Sequence, residues 1–320
     1  MHYYNRLTGE QKKIYKTIVS GISAFSEKIK IPLRPINELS MIYDCIQLDN
    51  PLLFYVSSFS CQNDLYTKIS IIFPEYTHKR PWVKKYTDTA MNTIMAFDAV
   101  RGKSDFEKEL HVHDYCLANF TYDYNPDDHS HTILGPILRN TGVCEGIAKY
   151  VKLALDHLGV KNLIVSGKAK NPLDDMENEY HAWNIVDVEG EKYHLDVTLD
   201  LTLKEKMNRH DYFNLSDSDI KKDHTIIGVV PACSMPSNDY YSINSMLARS
   251  PADIERHIVS NLRKGQKDII VKLLNAQYSQ RVVDKIFKIA QHQYRSIQKS
   301  SGAVEISCNA NQMVFEISFK

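Results

Sequence analysis

Residues 141–200 constrain this chain more than any other stretch, because a helical pattern is followed closely by a tight two-strand pattern. The run Thr141-Gly142-Val143-Cys144-Glu145-Gly146 opens onto Ala148, Val151, Leu155 and Leu158, apolar residues spaced by three and four, and Gly159 supplies the stop. The spacing predicts a helix of about four turns with Cys144 in its first turn. Unpaired N–H groups and the positive end of the dipole favour an anion there, which for a cysteine is the thiolate.

His181-Ala182-Trp183-Asn184-Ile185-Val186-Asp187-Val188, then Glu189-Gly190, then Glu191 to Thr198 reads as two strands joined by a two-residue turn. Such a turn pairs Val188 with Glu191. Trp183 then falls opposite Asp196, and His181 opposite Thr198. His181 and Asp196 become diagonal neighbours on one sheet face, within reach of each other, and a slip of one residue would separate them. The chain thus delivers Cys144, His181 and Asp196 in the order nucleophile, base, orienter. Taken singly, each has a plainer explanation as a small buried apolar residue or a satisfied polar group. Their order and spacing together favour the catalytic one.

These residues resemble the transglutaminase-like superfamily, the papain-related group of cysteine enzymes, and its bacterial members in particular. The resemblance rests on Gly142-Val143-Cys144-Glu145-Gly146, on His181-Ala182-Trp183-Asn184 and on His194-Leu195-Asp196-Val197-Thr198. Asp211-Tyr212-Phe213-Asn214-Leu215-Ser216-Asp217 and Lys222-Asp223-His224 resemble segments that follow the aspartate in those bacterial proteins. The likeness extends over residues 105–225. It departs at Leu199, where many relatives carry tryptophan; that alters a wall of the cleft and removes no catalytic group. The resemblance implies an α+β fold whose core packs a nucleophile helix on an antiparallel sheet bearing the base. It implies a catalytic set of Cys144, His181 and Asp196 with no cofactor and no metal. The implied chemistry is acyl transfer at amide or peptide bonds through a thioester, on a protein or peptide substrate. Water as acceptor gives a protease or amidase, the favoured reading. An amine acceptor gives a protein-glutamine transglutaminase, and loss of turnover gives a binding or scaffold protein on the same fold.

Composition narrows the partners. Of 320 residues, 43% are hydrophobic and 24% charged, which suits an ordinary globular chain, and 39 basic side chains balance 39 acidic ones. Zero net charge argues against nucleic acid and against an anionic membrane surface, and no apolar run is long enough to span a bilayer. Met1-His2-Tyr3-Tyr4-Asn5-Arg6 leads into no apolar signal region. Cysteines at 45, 61, 116, 144, 233 and 308 form no CxxC, which disfavours a zinc knuckle or a disulfide framework. A cytoplasmic location is expected, or a secreted one if a leader has been trimmed. Oligomeric state is left open.

The remaining pattern divides the chain into an N-terminal helix and hairpin unit (1–103), a transglutaminase-like core (104–249) and a small C-terminal α/β unit (250–320). In the first, a capping box at Thr8 and Gln11 with an apolar stripe predicts a helix over 8–29, proline breaks bound a second over 36–46, and Pro81 opens a third over 82–100, with a hairpin at 53–60 and 65–73. In the core, Ser104 and Glu107 start a helix running to Asn119, on which His111 and His113 point apart and do not converge on a metal. The turn-rich loop 121–131 holds two histidines and three aspartates; a solvated loop lining the cleft is favoured over a divalent-ion site. Asn140, Tyr124 and His131 are alternative side-chain donors to an oxyanion, beside the backbone N–H of Cys144. An acidic loop at 171–179 precedes His181. Beyond the core, a helix starting at Pro251, a strand at 268–274, a helix at 279–298 and strands at 303–308 and 313–319 show no chemistry of their own.

Overall fold

Capping chemistry starts the first long helix where the sequence puts it. In the computed structural model, which describes residues 1–170, 179–204, 207–235, 238–298 and 302–320, Thr8 and Gln11 exchange both capping-box hydrogen bonds. The chain falls into two compact units. One comprises Met1–Val165 with Ala182–Gly190, the other Ser166–His181 with Glu191–Lys320.

The first unit begins with α1 (His2–Arg6) and α2 (Gly9–Ser23). The expected helix to Ile29 stops early: Phe25 takes a left-handed conformation (φ 56°), and Ile29–Pro32 forms a strand, β1. Next come α3 (Ile36–Asp49), β2 (Val56–Asp64) and β3 (Ile69–Tyr76), and β3 is the centre of an antiparallel sheet ordered β1-β3-β2. The hairpin turn lies later than the pattern suggested. Asp64 Oδ1 accepts the N–H groups of Tyr66 (2.9 Å) and Thr67 (3.1 Å), so Asp64 closes the turn from the end of its strand.

Then follow α4 (Arg80–Met95), a 3-10 turn at Ala96–Val100, α5 (Asp105–Asn119), β4 (Thr121–Tyr122), α6 (Leu134–Arg139), β5 (Thr141–Gly142) and α7 (Cys144–His157). Every residue of α7 from Gly146 to Leu155 is buried, as for a helix enclosed on all sides. Lys149 and Lys152 are tolerated there because their ammonium groups reach Glu145 (2.6 Å) one turn back and Asp156 (2.9 Å) one turn on. Phe120 meets Tyr150 edge to face at 4.8 Å.

Strands β6 (Asn162–Ala169) and β7 (Glu179–Val188) carry the chain between the units. Glu189 (φ 54°) and Gly190 (φ 96°) turn β7 into β8 (Glu191–Leu195). Here the reading of a strand through Thr198 fails. Asp196 caps a helix, α8 (Val197–Leu203), accepting from Thr198 N and Leu199 N at 3.0 and 3.1 Å, so no pairing of His181 with Thr198 exists. After α9 (Asp217–Ile220), β9 (His224–Ile226) pairs antiparallel with β6, His224 opposite Ala169.

The chain then forms α10 (Tyr240–Ile243), β10 (Leu247–Ala248), α11 (Pro251–Arg263), β11 (Asp268–Leu273), α12 (Gln280–Gln298), β12 (Val304–Asn309) and β13 (Val314–Phe319). Their sheet runs β10-β11-β13-β12, and only β10 and β11 are parallel. Ile254, Ile258 and Leu262 of α11 and Ile286, Ala290 and Tyr294 of α12 share one core with Ile269, Val271, Phe315 and Ile317 of the sheet. Among the described residues no helix is long and apolar enough to cross a membrane.

Candidate active site

Cys144 is the first residue of α7, in the first unit, and its side chain is half-buried. Its N–H belongs to the first turn, whose donors have no intrahelical partner. The turn before it is clamped. Val143 N–H donates to Ser130 O (3.1 Å), and a Cβ on Gly146 would lie 2.3 Å from that oxygen and 2.8 Å from Thr132 O. Glycine at 146 is therefore what lets residues 130–132 lie against the head of the helix. From β7, Asn184 Nδ2 reaches Ala148 O on α7 at 3.1 Å, tying strand to helix within the same unit.

The second unit brings His181 and Asp196 together. His181 Nε2 donates to Asp196 Oδ2 at 2.6 Å, the length of a charge-assisted bond. Asp196 is fully buried. Oδ1 is occupied by the two α8 amides, and Oδ2 receives a second imidazole, His224 Nε2, at 3.0 Å. Burial works against the Asp196 charge. The charge of His181 and the hydrogen bonds from both histidines overcome it and hold the carboxyl well below the usual carboxylate range. His224 in turn places Nδ1 on Asp223 Oδ1 at 2.7 Å. Burial opposes its positive form, but the hydrogen bonds to Asp196 and Asp223 outweigh burial and push its pKa up.

Local structure explains this convergence. After α8 the chain returns along β8, where His194 and Leu215 exchange backbone hydrogen bonds and Asp196 N–H donates to Tyr212 O. Ser216 caps α9, and Lys170 N–H donates to Asp223 O, which delivers Asp223 and His224 to the edge of β6. The sequence alone assigns no role to segments 211–217 and 222–224. Their role is to set His224 against Asp196. The signal for it was the Asp223-His224 pair; what the sequence lacked was the pairing that brings it home.

Other expected positions resolve differently. Asn140 is the left-handed cap of α6 (φ 54°), Tyr124 is largely exposed, and His131 Nδ1 lies 3.5 Å from Glu145. In the loop before Cys144, Asp127 makes a two-pronged pair with Arg139 (2.7 and 2.9 Å) and Asp123 accepts from Ser130 (2.6 Å), so these carboxylates brace the loop. His113 is buried with Nδ1 3.1 Å from Asp114. Leu199 packs with Ala169, Leu203, Tyr212, Leu215 and Ile220, a core position. The acidic stretch 171–178 lies outside the described residues. Among the described residues, two groups in the second unit have metal-ligating atoms within 4.8 Å of one another: His181, Asp196 and His224, and His194, Asp217 and Cys233. In the first, separations of 2.6 and 3.0 Å from one carboxylate oxygen are hydrogen-bond lengths, shorter than the spacing of donors around an ion.

Residues 95–196 match the model of the Transglutaminase-like superfamily. No curated protein matches the chain. Solved structures similar to it include one described as "a TGase", at 16% identity over 58% of this chain and 54% of that one, with a TM-score of 0.31. Another is "a Putative Cysteine Protease from Cytophaga hutchinsonii", at 12% identity over 44% of this chain and 61% of that one, with a TM-score of 0.30. A third is "a putative protease" from Parabacteroides distasonis, at 12% identity over 44% and 36%, with a TM-score of 0.27. The chain thus spans less than two thirds of the length of each.

Proposed function

We propose, from the transglutaminase-like core of residues 95–196, that this protein is a cysteine-dependent acyl-transfer enzyme acting on amide or peptide bonds. The observation that carries the reading is the short bond from His181 to a buried, doubly capped Asp196 carboxylate. A base so held has one tautomer and one ring orientation. With Nε2 committed to Asp196, the proton-exchanging nitrogen of His181 is Nδ1.

In this mechanism the Cys144 thiolate adds to the substrate carbonyl carbon. The oxygen takes up the charge, stabilised by the Cys144 N–H at the helix start. Collapse breaks the C–N bond, the His181 imidazolium gives its proton to the departing amine, and a thioester on Cys144 remains. Water, losing a proton to neutral His181, then attacks the thioester and restores the thiol. An amine in place of water would yield a new amide by the same steps. Hydrolysis is the main outcome we propose, with a protein or peptide as substrate.

Alkylation tests the nucleophile without knowledge of the substrate. Burial pushes the Cys45 thiol up to about 11 and the Cys233 thiol up to about 12, and it raises Cys61, Cys116 and Cys308 as well. At about pH 6, iodoacetamide should label Cys144 at least tenfold faster than these five, and His181→Ala should remove that advantage. Equal labelling of all six, or a Cys144 rate indifferent to His181→Ala, would overturn the reading. Peptide amides offered with and without an amine acceptor then divide hydrolysis from transamidation by the mass of the product.

A further inference from the structure

His224 has no part in the mechanism above, yet it is fully buried and stands against the carboxylate that orients the base. Both of its ring nitrogens meet carboxylate oxygens: Nε2 meets Asp196 Oδ2 at 3.0 Å, and Nδ1 meets Asp223 Oδ1 at 2.7 Å. A neutral imidazole has one N–H and one lone pair, so one of these contacts would set a lone pair against a carboxylate. Two donors are available only in the imidazolium. Asp223 is itself organised as an acceptor: Tyr212 Oη donates to its Oδ2 at 2.7 Å and Gln312 Nε2 at 3.3 Å. The same Gln312 Nε2 also donates to Asp219 O at 3.1 Å.

We propose that His224 is a positioning residue that fixes Asp196 from the side away from α8 and cancels one of the two carboxylate charges that meet its own ring. The proposal rests on the acyl-transfer reading for its functional meaning. Asp196, Asp223 and a cationic His224 sum to one negative charge, which is what a single orienting aspartate would present to the base. With His224 neutral the sum is two, and the His181 imidazolium would hold its proton too tightly to act as a base toward water. Among the described residues, the groups facing His224 include Asp196, Asp223, the ring of His181 at 5.6 Å, the ring of Tyr212 at 5.6 Å, and His194, whose charge it opposes. A unit charge at 5.6 Å in a medium of effective dielectric about 20 is worth roughly 2 pH units of proton affinity, and about 1 with further screening.

The test uses the full chain carrying Cys144→Ser, which leaves the cluster intact, with the imidazole nitrogens followed by heteronuclear NMR from about pH 5 to about pH 9. At about pH 7 both nitrogens of His224 should carry protons. Adding His224→Gln, which keeps a donor toward Asp196 and removes the charge, should raise the titration midpoint of His181 by about 1 to 2 pH units. A purely structural role would leave that midpoint in place. A neutral His224 at pH 7, or a His181 midpoint unmoved by His224→Gln, overturns the proposal. The protonation of His224 decides it even if the Gln variant does not fold. Failure of the acyl-transfer reading is seen separately, as a Cys144 alkylation rate indifferent to His181→Ala.

Discussion

Asp196 accepts four hydrogen bonds while fully buried: two from the amides of α8, one from His181 and one from His224. The two oxygens divide the labour, Oδ1 capping a helix and Oδ2 holding the imidazoles. Asp196→Asn separates these tasks. The amide oxygen still caps α8, but an N–H group then faces the two histidines, and the buried imidazolium loses a counter-charge. Removing one partner of a buried pair costs about 3–5 kcal/mol, so Asp196→Asn should fall in that range. Asp196→Ala should lose about 1 kcal/mol more, because the cap goes too. Denaturant titrations of the two variants check both numbers, and an Asn variant as stable as the parent would mean that Asp196 carries no charge in the folded state. At this scale the sequence was informative for Cys144, His181 and Asp196, since their order and spacing are local facts. It marked His224 but gave it no partner, because that partner is fixed only when the chain returns along β8 and β9 pairs with β6.

Elements were legible where local chemistry and packing agree. The capping boxes at Thr8 and Ser104, the Ser250 cap with Pro251 behind it, and the first turn of α7 all form at the expected residues. Prediction failed where they disagree. Val197-Thr198 after Asp196 are β-formers and read as the end of a strand, yet the aspartate side chain captures two amides and starts a helix. Helix α2 ends early because Phe25 turns left-handed and stacks against both Tyr55 and Tyr76, each 5.0 Å away, a contact no helical spacing announces. The head of α7 is the element most exposed to small changes. Alanine at 146 improves helix propensity by about 1 kcal/mol, but its Cβ would overlap two backbone oxygens of residues 130 and 132. Gly146→Ala should therefore be destabilising by about 1–3 kcal/mol net and should slow Cys144 alkylation, because loop and helix cannot both keep their places. Thermal unfolding and the alkylation rate, measured together, check this; a stabilised variant would show that residues 130–132 move aside at little cost.

Across the second unit, two buried histidines make opposite demands on pH. His194 is driven down to about 4 by burial, over the opposing pull of Asp217 at 3.0 Å. In the unfolded chain it titrates near 6.5, so below that pH the unfolded state binds a proton the folded state refuses. Stability then falls as pH drops from 6.5 toward 4, by roughly 3 kcal/mol over the interval. Asp196, held below its ordinary value, adds a second loss as pH falls below about 4. His224 has the reverse sign: its folded value is raised above 6.5, so its contribution is complete below 6.5 and disappears as pH rises through the raised value. The unit should thus be most stable near neutrality and weaken on both sides. Hydrogen exchange of the β8 and α8 amides, corrected for the intrinsic rate at each pH, measures this locally. His194→Gln should flatten the limb between pH 6.5 and 4, and His224→Gln should flatten the limb above 6.5. If one substitution removed both limbs, the two histidines would be titrating as a single coupled group, and the separate charge assigned to His224 would have to be abandoned.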